Sequence, residues 1–319
     1  MVTTRSATPH GSANQRALIG RLSALVLVIL AGALVVASLV DTDGVGSDLS
    51  WGQAVVLGAV EGLTEYLPVS STGHLLIAGR LLGLGDAADG TALGTYVIAI
   101  QVGAIAAVLG LYRARVAQLV RGALGRDLEG RRMLAALAVA FAPAAIAGIA
   151  LESVIKDRLF GPWPIVTAWV VGGVALLIWQ PVDRGRTVGP ASISLRQAML
   201  IGVAQTAALW PGTSRSLVTL VAALAVGLSL ATAVEFSFLL GVVTLTAATG
   251  WDLTRNGTVL VETYGLATPA LGALVAFATA VISVRWMTTY LQHHSLRIFG
   301  AYRLVAGAFT ASLLLSGIL

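Results

Sequence analysis

The chain has no cysteine and little charge of either sign. Without cysteine it can form no disulfide, no thiolate metal site and no cysteine nucleophile. Charged residues are 11% of the 319 residues, hydrophobic residues are 57%, and the mean hydropathy is +0.87. These values lie far outside the range of soluble globular proteins and predict a membrane protein. The net charge of +5 is small, so no nucleic-acid partner is expected.

The alternating pattern of strands is lacking too, which disfavours a transmembrane β-barrel. The sequence contains instead apolar runs of about 18–23 residues, close to the roughly 20 residues that a helix needs to cross the hydrocarbon. It therefore predicts an all-α polytopic membrane protein with about seven transmembrane helices. The predicted spans are 18–40, 95–112, 133–150, 163–180, 231–250, 267–285 and 300–318.

The N-terminal part is predicted to stand apart from the rest. Residues 1–17 are polar and should form a flexible cytoplasmic tail. The apolar segment in 18–40 is long for a signal peptide, so we predict an extra transmembrane helix there, with a cleaved signal-like segment as the alternative. Residues 51–319 are predicted to form a single membrane-embedded domain.

Two apolar stretches, 51–83 and 196–229, are interrupted in the middle by "LPVSSTG" and "WPGTSRS". Such breaks are typical of two half-helices joined inside the membrane, so we predict that each stretch forms a re-entrant helical hairpin. If residue 1 is cytoplasmic, most of the arginines fall on the inside, the hairpin 51–83 opens outward and the hairpin 196–229 opens inward. Two hairpins of opposite direction predict an inverted repeat that meets near the middle of the membrane.

The two hairpins also resemble each other residue by residue. Glu61 aligns with Gln205, and a one-residue gap then brings Ser71 onto Ser214. The alignment predicts that the two breaks occupy equivalent places in the two halves.

The first break follows a pair of carboxylates. Glu61 and Glu65 are four residues apart and share one face of a helix. Carboxylates inside a membrane are costly and usually mark a functional site. At this spacing they can hold a divalent cation, Mg²⁺ or Ca²⁺, or exchange protons as acid and base.

Hydroxyl groups and an imidazole come next. Ser70, Ser71 and Thr72 are good residues for capping the second half-helix. Ser71 and His74 then lie about one turn apart, as a nucleophile and its base would. His74 as the nucleophile is the alternative, since imidazole can also be phosphorylated.

The second break, "PGTSRS", carries the features of a phosphate site. Gly212 permits a tight turn, and the free amides at the following helix start attract anions. Arg215 adds a fork of donors that suits a phosphate group. We expect six residues of the two breaks to bind substrate: Ser70, Thr72, Gly212, Thr213, Ser214 and Ser216.

These segments resemble the undecaprenyl-diphosphate phosphatase family of bacterial membranes, which is known for bacitracin resistance. "EGLTEYLPVSSTGH" matches its first motif at nearly every position and "LWPGTSRS" matches its second, while "EFSFLL" from Glu235 and "YR" at Tyr302–Arg303 are similar to further family segments. The resemblance implies hydrolysis of undecaprenyl diphosphate, a polyprenyl diphosphate, to undecaprenyl phosphate and phosphate, which recycles the lipid carrier of cell-wall and peptidoglycan synthesis. It also implies an inverted-repeat fold in the bacterial plasma membrane, with the active site facing outside.

The resemblance implies catalytic roles for Glu61, Glu65, Ser71, His74 and Arg215. In the mechanism we expect, Ser71 attacks the terminal phosphorus, His74 is base and then acid, and Arg215 stabilises the phosphate charge. The two glutamates bind the cation or position water.

A transporter or lipid flippase is the main alternative, because inverted repeats with broken helices are typical of transporters. In that case Arg215 and the glutamates would bind an anion and a coupling cation. A structural scaffold leaves the intramembrane charges without a purpose. The sequence leaves the oligomeric state open, and a homodimer is compatible with it.

Overall fold

The structure, a computed structural model, describes residues 49–85, 91–179 and 189–319. Every regular element in these ranges is helical, which confirms the all-α prediction. The predicted tail 1–17 and helix 18–40 lie outside the described residues.

The helices of the described residues are numbered α1 to α13 in chain order. They are α1 (Trp51–Thr64), α2 (Ser71–Leu81), α3 (Ala92–Ala99), α4 (Gln101–Leu111), α5 (Arg113–Ala123), α6 (Leu128–Ala150), α7 (Glu152–Leu159), α8 (Pro162–Ile178), α9 (Leu195–Gln205), α10 (Arg215–Ala225), α11 (Leu230–Tyr264), α12 (Ala267–Leu291) and α13 (Arg297–Leu315). Two short 3₁₀ turns, Pro190–Ser192 and Thr206–Leu209, precede and follow α9.

Five helical segments of the described ranges are long and apolar enough to cross a membrane. They are α3 with α4 as Ala92–Leu111, and α6, α11, α12 and α13. A sixth is reached if α7 and α8, which meet at 94°, are counted as one bent span. The protein is therefore a multi-pass helical membrane protein. The prediction placed α11 at 231–250, whereas the helix continues to Tyr264.

The two interrupted stretches have the same local structure. In each, a serine caps the first helix in a reciprocal capping box, Ser50 with Gln53 and Ser194 with Gln197. Gln53 Nε2 then donates to the carbonyl of Leu82, and Gln197 Nε2 to that of Val226, both at 3.1 Å. The start of each first helix is thereby joined to the end of the second. In each stretch the chain therefore forms a helical hairpin, α1–α2 and α9–α10.

The backbone corrects the predicted alignment of the two breaks. Ser70 and Ser214 both cap the second helix of their hairpin, and both have φ of 75°. The hairpins therefore correspond without the one-residue gap, and Ser71 falls on Arg215 rather than on Ser214. A one-residue gap superposes Pro68 on Pro211, but the capping serines fix the register without it.

Each hairpin packs its first helix on a spanning helix from the other part of the chain. α1 lies on α12, where Gly58 faces the carbonyl of Gly272, and α9 lies on α6, where Gly202 faces the carbonyl of Ala140. A Cβ atom at either Gly58 or Gly202 would overlap the facing carbonyl. Small residues allow the close backbone approach that stabilises helix pairs in membranes.

The main apolar core surrounds the two breaks. Tyr66 and Val69 from the first break are buried with Leu217, Phe236 and Phe238. Tyr66 packs edge-on against Phe238, with ring centroids 5.2 Å apart. This packing holds both breaks in the interior, where their polar groups must find partners within the protein.

Candidate active site

The two breaks touch each other directly. Ser216 Oγ donates to the carbonyl of Leu67 at 2.8 Å, and Ser214 Oγ lies 3.5 Å from the same oxygen. Arg215 Nη2 forms an ion pair with Glu65 Oε1 at 3.0 Å. Three contacts between segments far apart in sequence therefore assemble one polar site.

Glu65 is the centre of this site. It directly follows the end of α1, while Ser71 is the first residue of α2. The intervening turn folds back, so that the Ser71 hydroxyl donates to Glu65 Oε2. Its other oxygen accepts from Arg215. The side chains of Glu65 and Arg215 are only 7% and 10% exposed, so this hydroxyl–carboxylate–guanidinium triad is largely shielded from solvent.

Backbone strain fixes the two reactive positions. Ser70 and Ser214 are the only non-glycine residues of the described ranges with positive φ, a conformation that costs on the order of 1–3 kcal/mol. Their hydroxyls accept from the amides of Gly73 and Leu217, which lie in the first turns of α2 and α10. The residue after each strained serine, Ser71 or Arg215, is thereby aimed into the site.

Arg303 ties the two breaks together from behind. This residue of α13 is fully buried, and Nη2 donates to the carbonyls of Ala168 at 2.7 Å and Gly212 at 2.9 Å. Nη1 donates to the carbonyl of Thr213 at 3.1 Å and lies 3.5 Å from that of Pro68. The guanidinium thus binds the backbone of both breaks. A charge within an apolar span usually marks a functional residue, and the sequence shows this charge but not the backbone groups that it binds.

His74 does not pair with Ser71 as predicted. Nδ1 lies 2.6 Å from the carbonyl of Ser70, and Nε2 lies 2.6 Å from the hydroxyl of Tyr302. Tyr302 also stacks on the imidazole. Both ring nitrogens are therefore engaged, and Glu65 rather than His74 is the hydrogen-bond partner of Ser71. The predicted helical spacing was right, but the fold of the turn gave the serine a closer partner.

Glu61 lies in the interior without a hydrogen bond. It is completely buried, and neither carboxylate oxygen has a hydrogen-bond partner among the described residues. The described residues contain no group of three His, Asp or Glu side chains that could hold a metal by themselves. A cation would therefore need Glu61, Glu65 and phosphate oxygens of the substrate together, which is how Mg²⁺ is commonly bound. The unpaired oxygens of Glu61 fit that arrangement.

A cavity of about 170 Å³ opens onto the triad. Among the predicted residues it is lined by Glu65, Ser70, Ser71, Thr72, Gly212, Ser214 and Arg215. Glu61, His74, Thr213 and Ser216 lie outside the lining. The cavity also has polar walls that were not predicted, from Gln101, Gln205 and Thr244.

A glycine makes room for the guanidinium of Arg215. A Cβ atom on Gly241 of α11 would lie 2.6 Å from Arg215 Cζ, so Gly241→Ala must push the guanidinium away. We expect kcat to fall on the order of 10²-fold, because a shift of about 1 Å in a positioned group has that effect. Gly250→Ala is the matched control, since it lies on the same helix with no atom within 4 Å of the added methyl group. Undiminished kcat in a folded Gly241→Ala protein would show that this placement of Arg215 is not needed.

The helices and the cavity define a multi-pass membrane protein whose buried groups are those of phosphate chemistry. The chain belongs to the family of bacitracin resistance protein BacA, whose family model matches residues 54–309. It is 43% identical over 263 residues to a protein of Sorangium cellulosum named undecaprenyl-diphosphatase, which covers 81% of this chain and 84% of that protein. It is 41% identical to undecaprenyl-diphosphatase 2 of Rhodospirillum rubrum over 83% of this chain and 96% of that protein. An undecaprenyl-diphosphatase of Acinetobacter baumannii is 37% identical, with coverage of 80% and 92%.

Proposed function

We infer that this protein hydrolyses undecaprenyl diphosphate to undecaprenyl phosphate and inorganic phosphate, and that it confers resistance to bacitracin. Family membership and the names of the similar proteins support the substrate. The observation that supports the chemistry is the triad of Ser71, Glu65 and Arg215 on one cavity. The reaction supplies lipid carrier for peptidoglycan synthesis.

In the mechanism we propose, the Ser71 hydroxyl attacks the terminal phosphorus and Glu65 takes its proton. The bond from that phosphorus to the bridging oxygen breaks, Glu65 gives the proton to the leaving oxygen, and undecaprenyl phosphate leaves. Water then attacks the phosphoserine with Glu65 as base, and phosphate is released. Arg215 pairs with Glu65 and lines the cavity, so it can stabilise the charge on the phosphoryl oxygens.

A divalent cation, Mg²⁺ or Ca²⁺, is part of this proposal. Glu61 would hold it together with Glu65 and the diphosphate, and it would neutralise charge on the phosphates. His74 is held by Ser70 and Tyr302 at the start of α2, and we assign it a positioning role there.

We also propose that the two hairpins are re-entrant and form an inverted repeat of seven spans, 18–40 included. The shared capping boxes, the paired strained serines and the exchange of packing partners between the halves support a repeat. The distribution of arginines supports opposite directions, with the active site facing outside the bacterial plasma membrane. Every group of the triad belongs to one chain, so the triad forms without a partner subunit.

The transporter alternative receives no support from the similar proteins, and a direct assay separates the two activities. We expect purified protein in detergent to release phosphate from undecaprenyl diphosphate, whereas a transporter would release none. Absence of release would refute the proposed function.

The same assay tests the carboxylates. We expect Glu65→Gln to lower kcat by about 10²–10⁴-fold, because it removes the positioned base, and Glu61→Gln to lower it at least about tenfold. A chelator should reduce activity in the wild type, and added Mg²⁺ or Ca²⁺ should restore it. Near-native kcat in both variants would remove the carboxylates from the site.

A further inference from the structure

Gln205 is a buried amide that the mechanism leaves unused. It is the last residue of α9 and is only 2% exposed. Its Nε2 atom is buried and has no hydrogen-bond partner among the described residues, and the residue lines the cavity that holds the triad. An unpaired buried donor costs roughly 1–3 kcal/mol, so its retention in a cavity points to a ligand that accepts from it.

The neighbours of Gln205 leave that donor free. The hydroxyl of Thr244 lies 3.5 Å from Gln205 Oε1 and donates to the carbonyl of Leu240 at 2.8 Å. The nearest polar group of the amide is thus on its oxygen side, and Nε2 is left for a bound molecule. Gln101 adds a second amide to the same wall.

The surroundings distinguish this wall from the triad. Ala144, Ala208, Leu209 and Leu245 line the cavity together with the two glutamines. The triad side carries the charges of Glu65 and Arg215. Ala208 and Leu209 follow Gln205 in the 3₁₀ turn, and the helix of Ala144 packs on that turn. The cavity therefore combines the charged triad with a neutral amide that has apolar neighbours.

A lipid diphosphate has the same polarity. Its terminal phosphate is polar on all sides, whereas its inner phosphate is esterified to an apolar chain. The cavity, at about 170 Å³, is several times the ~30 Å³ share of a water molecule and can admit phosphate groups. With the terminal phosphate at Ser71 and Arg215, the inner phosphate, which carries the apolar chain, fits beside the Gln205 amide and its apolar neighbours.

We propose that Gln205, assisted by Gln101, binds the inner phosphate, the one that stays on the lipid after hydrolysis. This assignment rests on the proposed function, because it takes Ser71 and Arg215 as the place of the terminal phosphate. Gln205 corresponds to Glu61 in the other hairpin, so the two halves supply an unpaired donor and an unpaired acceptor from equivalent positions.

The two products of the reaction provide the test. Undecaprenyl phosphate keeps the inner phosphate, whereas inorganic phosphate corresponds to the terminal one. Gln205→Met keeps the size of the side chain but removes its donor. We expect the inhibition constant of undecaprenyl phosphate and the KM for undecaprenyl diphosphate to rise about tenfold in this variant. The inhibition constant of inorganic phosphate should stay within about twofold of the wild-type value. Arg215→Lys should weaken inhibition by inorganic phosphate instead.

Thr206→Val is the matched control, since the Thr206 hydroxyl bonds only to the carbonyl of Val203 at 2.7 Å and does not line the cavity. If Gln205→Met does not fold, Gln205→Glu has the same shape and places a negative charge beside the phosphate, so it should raise the inhibition constant of undecaprenyl phosphate even further.

Several results would overturn the assignment. Active Gln205→Met with unchanged constants would refute the inner-phosphate site and leave the proposed function intact. Weaker inhibition by inorganic phosphate alone would place Gln205 at the terminal phosphate. A wild-type protein that releases no phosphate would refute the proposed function, and the inner-phosphate site with it.

Discussion

Ser71→Ala should reduce kcat by on the order of 10³-fold or more, because removal of a nucleophile leaves only binding and charge stabilisation. The hydroxyl is buried and donates to Glu65, so its loss removes both the attacking atom and the path of its proton. KM should change little, since Arg215, the proposed ligand of the phosphate, remains. Phosphate release by purified protein in detergent gives both constants.

Ser283→Ala is the control for loss of a buried serine hydroxyl. Ser283 of α12 donates to the carbonyl of Leu63 at 2.9 Å and does not line the cavity. The activity of Ser283→Ala should therefore be close to that of the wild type. Trapping of the phosphoenzyme separates the two candidate nucleophiles, because phosphoserine survives acid and phosphohistidine does not. An acid-labile adduct, or a Ser71→Ala protein with substantial turnover, would make His74 the nucleophile.

Arg303→Met should destabilise the protein by several kcal/mol and abolish most activity. The carbonyls of Ala168, Gly212 and Thr213 would lose their donor, and each unsatisfied buried group costs about 1–3 kcal/mol. Arg303→Lys should be intermediate, because an ammonium on a flexible stem cannot reach carbonyls that fan around a planar guanidinium. Thermal unfolding in detergent and kcat measure the two effects.

Arg297→Met is the control for loss of an arginine from the same helix, because Arg297 is exposed at the start of α13. It should keep both native stability and native kcat. If Arg303→Met has the melting temperature and the kcat of the wild type, the two breaks are held in place by packing alone.

The composition and the two motifs were sufficient to predict the spanning helices, the two breaks and the pairing of Arg215 with Glu65. Apolar runs placed the spanning helices, because the length needed to cross a membrane is fixed by the hydrocarbon. The breaks were visible because proline, glycine and hydroxyl residues interrupt helices. Arg215 and Glu65 could be assigned to one site because unpaired charges in an apolar interior must find partners.

The fold of the breaks was beyond sequence reasoning. Helical spacing favoured His74 as the partner of Ser71, but Glu65 reaches the hydroxyl across a turn whose shape depends on the strained Ser70. Positive φ at a serine goes against local preference and is imposed by the surrounding structure. Arg303 was missed because its contacts join backbone atoms distant in sequence, and carbonyls carry no residue-type signal.

Each buried arginine occupies a hollow that a glycine leaves in the opposite helix, Arg215 against Gly241 and Arg303 against Gly172. A methyl group at Gly172 would lie 2.5 Å from Arg303 Nη2. The glycine therefore cannot be replaced by alanine while the arginine keeps its place. As lineages diverge, alanine can become tolerable at either glycine only after the facing arginine has been replaced or has shifted. The two glycines do not line the cavity. The order in which mutations can accumulate nevertheless restricts them as strongly as it restricts the arginines that they face.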